Sequence, residues 1–271
     1  MVTELMYSTT NTFLIRGANG LLLFDTGWAG TFRKFCREMG EKGIPVQEIS
    51  YVLISHFHPD HCGIAQEIAD CGATIVVMEP QRNDIHAADR VFLKEGRKDY
   101  RPVVDQKVRE VALEKSREFL MEMGIEGEVI ATPGHSEDSI SLCLDDGSIF
   151  VGDLNPLYEL EMHRGTEIEE SWKKLLARHP KTIYYGHAKT AYRKEAPRAE
   201  ITELSEDLEA SRDSMLVKHI MKYTEKGWTA ERIQKKTGEP IEWIRDVMRM
   251  YLTHPGISVQ GVLDRMEIRG R

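Results

Sequence analysis

Residues His56-Phe57-His58-Pro59-Asp60-His61 bring three imidazoles and one carboxylate into six consecutive positions. Alternate residues of an extended chain share a direction, so His56 and His58 suit one metal ion. Asp60 and His61 then suit a second ion beside it. Imidazole with carboxylate favours a borderline divalent ion such as zinc, and accepts iron or manganese as well. The competing reading is a solvated loop with chance histidines. So many donors in so short a stretch weigh against it.

The elements around this loop must hold it open toward a partner. Ile49, Tyr51, Val52, Leu53 and Ile54 form a short apolar run rich in β-branched residues, which predicts a buried strand ending at the loop. Upstream, Asn11–Arg16 and Leu21–Phe24 read as a hairpin around Gly17-Ala18-Asn19-Gly20. Its second strand ends in Asp25-Thr26-Gly27, where a carboxylate at the end of a buried strand reads as a turn former or helix cap. Thr31–Lys42 has helical spacing and stops at Gly43. Ile64–Cys71 predicts a short helix and Ala73–Met78 another buried strand, an alternation that points to a layered α/β architecture. Pro80–Gly124 is long, charged and helical in pattern. Within it, Lys107–Met123 carries Val108, Val111, Ala112, Phe119 and Leu120. Such an insertion can be a lid, a packed outer layer or a dimer contact. Ile140–Leu144 and Ser148–Val151 form a second predicted hairpin across Asp145-Asp146-Gly147. Leu154–Gly165 reads as irregular and as a candidate substrate wall, Glu167–Arg178 as an amphipathic helix, and Thr182–Tyr185 as a strand.

The motif resembles the His-x-His-x-Asp-His signature of the metallo-β-lactamase-fold hydrolases, and the resemblance extends over about residues 1 to 195. The remaining ligand positions of that family follow in order, each after a strand-like run: His135 in Thr132-Pro133-Gly134-His135-Ser136, Asp153 after Gly152, and His187 after Gly186. The resemblance implies a four-layer αββα fold. It implies that His56, His58 and His135 hold one ion and that Asp60, His61 and His187 hold the other, with Asp153 bridging. It raises Asp25 to an outer-shell group orienting a ligand histidine. His163 rivals His187 as a ligand but lacks a preceding buried strand and a Gly-His turn. Two divalent ions in such a site would share a water and lower its pKa toward ~7, giving a bridging hydroxide as nucleophile. Asp60 is the expected proton carrier and hence the catalytic side chain.

Related diiron oxygen or nitric oxide reductases put a glutamate where His58 stands, which disfavours redox chemistry. Antibiotic-cleaving members lack the carboxylate that Asp153 supplies, which disfavours β-lactam cleavage. There remain enzymes similar to glyoxalase II, lactonases, and phosphodiesterases or nucleases similar to ribonuclease Z. A small-molecule thioester, ester or lactone is the expected substrate, with a phosphodiester as the alternative.

The formal charge of −8 is uneven: residues 196–271 carry thirteen basic and thirteen acidic side chains, leaving 23 bases against 31 acids in residues 1–195. An acidic catalytic region repels phosphate backbones, so a nucleic-acid partner is disfavoured. Cys36, Cys62, Cys71 and Cys143 show no Cys-x-x-Cys spacing, and Cys62 reads as a small buried thiol behind the loop. No stretch approaches the roughly 20 apolar residues of a membrane span, and the amino terminus lacks a basic region followed by an apolar core. The expectation is a cytoplasmic protein with no membrane partner.

From Ala196 the texture becomes helix without strands, predicting a helical C-terminal domain over 196–271. Ile201–Tyr223 is long and periodic. Thr229 caps a short helix, Thr237-Gly238 turns, and Pro240 leads Ile241, Ile244, Val247, Met248 and Tyr251 along one face. The outline is that of a helix-turn-helix, which keeps a nucleic-acid-binding regulator as an alternative. The outward set Glu242, Arg245, Asp246 and Arg249 is balanced in charge, so packing, homodimerisation or cleft shaping is the better expectation.

Overall fold

The computed structural model describes residues 2–193 and 215–253, together with positions 259 and 262. Apolar side chains alternate along four neighbouring strands, β2 (Thr12–Arg16), β3 (Leu21–Phe24), β4 (Ile49–Leu53) and β5 (Thr74–Met78). Leu14, Leu23, Val52, Ile75 and Val77 face one core, whereas Phe13, Ile15, Leu22, Phe24, Leu53, Val76 and Met78 face another. A strand with a period of two that is apolar on both sides must be covered on both sides. The first core is closed by helices α1 (Phe32–Glu41), α3 (Ala65–Asp70) and α4 (Ala87–Lys94), through Phe35, Met39, Ile68 and Phe92. The second is closed by a second sheet, through Val129, Ile140, Leu142 and Phe150. At roughly 1.5–3 kcal/mol for each large side chain buried, these two faces dominate the stability of the unit.

The first sheet has the order β1 (Val2–Leu5), β2, β3, β4, β5, β6 (Val108–Val111), antiparallel up to β3 and parallel beyond it. The second has the order β11 (Ala191–Tyr192), β10 (Thr182–Tyr184), β9 (Ser148–Phe150), β8 (Ile140–Leu144), β7 (Gly127–Ala131). Helix α6 (Glu167–Leu176) completes the fourth layer. Val129 points into the core, so Glu128 points outward, where the Arg178 guanidinium just beyond α6 donates to it at 2.8 Å. Trp172 of α6 is fully buried and donates from Nε1 to the Asn155 carbonyl. The αββα layering expected from the motif is the layering observed.

Two stretches differ from expectation. Lys107–Met123 is not one helical segment: Val108–Val111 pairs in parallel with Ile75–Met78 as β6, and only Ser116–Glu122 (α5) is α-helical. The β-branched pair Val108 and Val111 finds an open sheet edge, which overrides the local helical spacing. The insertion is thereby a packed layer, with Phe119, Leu120 and Met123 in the inter-sheet core. Leu157–His163, read as irregular, is a run of 3-10 turns.

By contact density the chain divides into two compact units, one of Met1–Pro156 with His163–Glu195 and one of Leu157–Met162 with Ala196–Arg271. In the second, helical residues 215–225 (α7), α8 (Ala230–Thr237) and α9 (Ile241–Thr253) share a core of Val217, Ile220, Ile233, Ile244, Val247 and Met250. The Thr229 side chain accepts the Arg232 N–H at the start of α8, and Gly238 ends that helix at φ +76°. The first fourteen residues of the predicted Ile201–Tyr223 helix lie outside the described residues. Among the described residues no helix is long and apolar enough to cross a membrane.

Candidate metal centre

The carboxyl ends of five strands converge. β4 leads into Ser55–His61, β3 into Asp25, β7 into the His135 turn, β9 into Asp153 and β10 into His187. In open α/β sheets this is the end where loops from neighbouring strands meet a ligand. His58 is extended (φ −73°, ψ 152°) and Pro59 starts the one-turn helix α2 (Pro59–Cys62), so the chain leaves the strand straight and then coils. The straight part aims His56 and His58 together, and the coil turns Asp60 and His61 to one side.

All seven expected ligands come together, as two groups. His56, His58 and His135 form one, and Asp60, His61, Asp153 and His187 the other, with donor atoms within 4.8 Å of one another in each. In the first, His58 Nδ1 lies 3.0 Å from His56 Nε2 and 3.1 Å from His135 Nε2. In the second, His187 Nε2 lies 2.9 Å from Asp60 Oδ2, and His61 Nε2 lies 3.2 Å from Asp153 Oδ1. Asp153 faces both groups: its Oδ2 is 3.5 Å from His187 Nε2 and 3.7 Å from His135 Nε2. Gly186 permits this approach, because a Cβ there would stand 2.5 Å from Asp153 Oδ1 and 2.9 Å from His61 Cε1.

The donors fit divalent cations on two observations. His61 Nε2 and Asp153 Oδ1 are buried and face each other at 3.2 Å without a well-formed hydrogen bond, an arrangement that a cation shared by the two would satisfy. The charge balance agrees. Burial and the neighbouring histidines hold the His56 imidazole well below its usual value, keeping its lone pair free. Burial works against charging His61, but Asp25 and Asp153 overcome it and push it up to about 10. Burial opposes the Asp60 charge too, yet His187 and His61 hold the carboxylate down at about 2. The second group thus brings two carboxylates, and the first is built of imidazole nitrogens alone.

Behind the ligands stands a layer of buried hydrogen bonds. Asp25 is fully buried at φ +60° and accepts from Ser55 N–H (2.6 Å), Ser55 Oγ–H (2.8 Å) and His61 Nδ1–H (2.8 Å). A non-glycine residue with positive φ is uncommon, and aspartate tolerates it best through such local bonds. Several supporting residues escaped the sequence reading. Asp138 accepts the Phe57 N–H at 2.7 Å and so ties the His135 turn to the His56 loop. The Asn11 amide donates to the Tyr185 and Ala188 carbonyls across the His187 turn, while Thr10 Oγ–H donates to the Asp60 carbonyl. The polar triplet Thr9-Thr10-Asn11 directly before an apolar strand was the one available signal. His163 belongs to neither group. Cys62 is buried beneath the loop with its thiol directed to the His58 carbonyl, the place expected for it.

The sequence profile of the metallo-beta-lactamase superfamily matches residues 7–187, about two thirds of the chain and every one of these donors. The chain belongs to the metallo-beta-lactamase superfamily. Within that superfamily it is 29% identical over 191 residues to the Beta-lactamase-like protein 2 homolog of Drosophila melanogaster, covering 66% of this chain and 58% of that protein. It is 27% identical over 150 residues to a probable metallo-hydrolase of Methanocaldococcus jannaschii, covering 54% and 66%. The match thus spans less than two thirds of the length of either relative. Among solved structures it resembles the metallo-beta-lactamase family protein TTHA1429 from Thermus thermophilus, with TM-score 0.51, 19% identity and 82% of each chain covered. It also resembles TTHA1623 in a di-iron-bound form, with TM-score 0.53 and 22% identity over 71% of this chain and 94% of that one. At these identities the structural likeness speaks for the superfamily fold.

Proposed function

We propose that this chain is a dinuclear metal-dependent hydrolase acting on a small-molecule thioester, ester or lactone. The observation that carries the reading is Asp153, a single carboxylate facing both donor groups at once. His56, His58 and His135 would hold one ion and Asp60, His61 and His187 the other, with Asp153 shared between them. Divalent ions bound there would supply Lewis acidity toward the scissile group and acidify a water at neutral pH. Zinc suits the donor set, and the di-iron-bound relative keeps iron in view alongside manganese.

The side chains have separate tasks. Asp25 and Ser55 hold the ligand histidines from behind. Asp60 keeps its Oδ2 toward His187 while its side chain remains about one-fifth exposed, so it can hand a proton from the centre to solvent. The excess acid of residues 1–195 supports a small-molecule thioester, ester or lactone over a polyanion. The test is bound metal by mass spectrometry, followed by turnover of thioesters, lactones and a phosphodiester reporter. Two ions per chain with carboxylic turnover are expected. Turnover of the phosphodiester alone replaces the substrate class, and a chain that takes up no metal overturns the reading.

A further inference from the structure

Ser55 precedes the motif, and its hydroxyl lies at a junction that no ligand occupies. Ser55 is 1% exposed. Its Oγ lies 2.8 Å from Asp25 Oδ2, 3.0 Å from His56 Nδ1 and 3.3 Å from His61 Nδ1. Gly152 closes over it: a Cβ at that residue, which has φ +54°, would stand 2.5 Å from the hydroxyl oxygen. One oxygen thus touches the segments that carry His56, His61 and Asp153.

The donor count decides who gives a proton to whom. A carboxylate only accepts, so the single Ser55 proton is committed to Asp25. The Ser55 oxygen is left as an acceptor, and the 3.0 Å contact with His56 requires the proton to sit on His56 Nδ1. That tautomer turns the bare Nε2 of His56 toward His58 and His135. His61 is set in the same way but by Asp25 directly, through its Nδ1–H, with Nε2 turned to Asp153. We propose that Ser55 is a positioning residue: by donating to Asp25 and accepting from His56, it fixes the His56 tautomer and links the supports of the two metal groups.

This inference rests on the dinuclear reading but makes a narrower claim. Without the hydroxyl, His56 loses its acceptor and its ring is free to flip or to carry the proton on Nε2. His61 keeps its bond to Asp25. Loss of the hydroxyl must therefore weaken the three-histidine group more than the mixed group, and widen the gap between the two zinc affinities. A merely structural role would lower the melting temperature and leave the ratio of the two affinities alone.

The experiment compares wild type, Ser55→Ala, Ser55→Thr and a packing control on β8 away from the donors, Cys143→Ala, all as full chains. Zinc is titrated against a chromophoric chelator, and long-range proton–nitrogen spectra of nitrogen-15 histidine-labelled, metal-free protein report the tautomers. Wild type should load two ions and show a protected Nδ1–H for His56. Ser55→Ala should lose that proton signal and weaken one of the two zinc steps by about 10- to 100-fold, the usual effect of removing a ligand's outer partner. Ser55→Thr, which restores a hydroxyl, should recover both, and Cys143→Ala should change neither. If Ser55→Ala keeps the His56 Nδ1–H signal and both zinc steps, the inference falls while the hydrolase reading stands. If wild type itself takes up no zinc, the reading beneath it falls, and the metal-free spectra still judge the tautomer claim separately.

Discussion

The two donor groups sit side by side yet are built on opposite electrostatic plans. His56, His58 and His135 bring no carboxylate, and burial with the neighbouring histidines holds His56 well below its usual value. The other group carries Asp60 and Asp153, with Asp25 behind His61, and is acidic enough to lift His61 to about 10. An ion in the first group would depend on Asp153 for its share of negative charge, whereas an ion in the second would have Asp60 as well. A carboxylate shared by both would therefore be worth more to the three-histidine group than its single contact suggests.

Asp153→Asn tests this most severely. It should empty the three-histidine group, weaken the other, and cut turnover on the order of 10²–10³-fold or more, read from metal content and steady-state rates. Asp60→Asn should separate ligand from proton carrier: turnover drops by about 10²–10⁴-fold, far more than metal content falls. Parallel losses would reduce Asp60 to a ligand. Asp25→Asn should weaken zinc binding by about 10- to 100-fold, chiefly in the mixed group that His61 anchors. An equal effect on both groups would erase the asymmetry. Chelation should lower the melting temperature by roughly 5–10 °C, since saturating metal adds about 2.7 kcal/mol at a hundredfold excess over its dissociation constant.

The smallest effect is the pH dependence of the metal-free protein, where the two groups should pull in opposite directions. His56 is depressed on folding, so its neutral burial costs nothing above pH ~6.5 and costs stability as pH falls below that value. His61 is raised to about 10, so its contribution is full below pH ~6.5 and is lost as pH rises through 10. Melting temperature should therefore peak near pH ~6.5 and fall on both sides. His56→Gln should flatten the acid side and His61→Gln the alkaline side. A profile that moves only on one side would show that the groups do not differ as described.

The donors were legible because each is announced by local chemistry: an apolar run, then a turn, then a histidine or aspartate. The same logic recovered β2 to β5, whose alternation must be covered on both faces. It failed at Val108–Val111, where helical spacing was a coincidence and the free edge beside β5 decided the outcome. It was also silent on Ser55, Asp138 and Asn11. Their bonds to Asp25, Phe57 and Tyr185 span 30, 81 and 174 residues, and separations of that kind leave no periodic trace.

Sequence alone thus determined which candidate donors the chain carries and in what order the strands deliver them, since both follow from residue type and from the period of two along a strand. Tertiary structure alone decided how those atoms are held. The tautomer of His56, the charge on His61 and the reach of Asp153 across both groups depend on neighbours brought together only when the strand ends converge, and a buried hydrogen bond has no direction until both of its partners are in place.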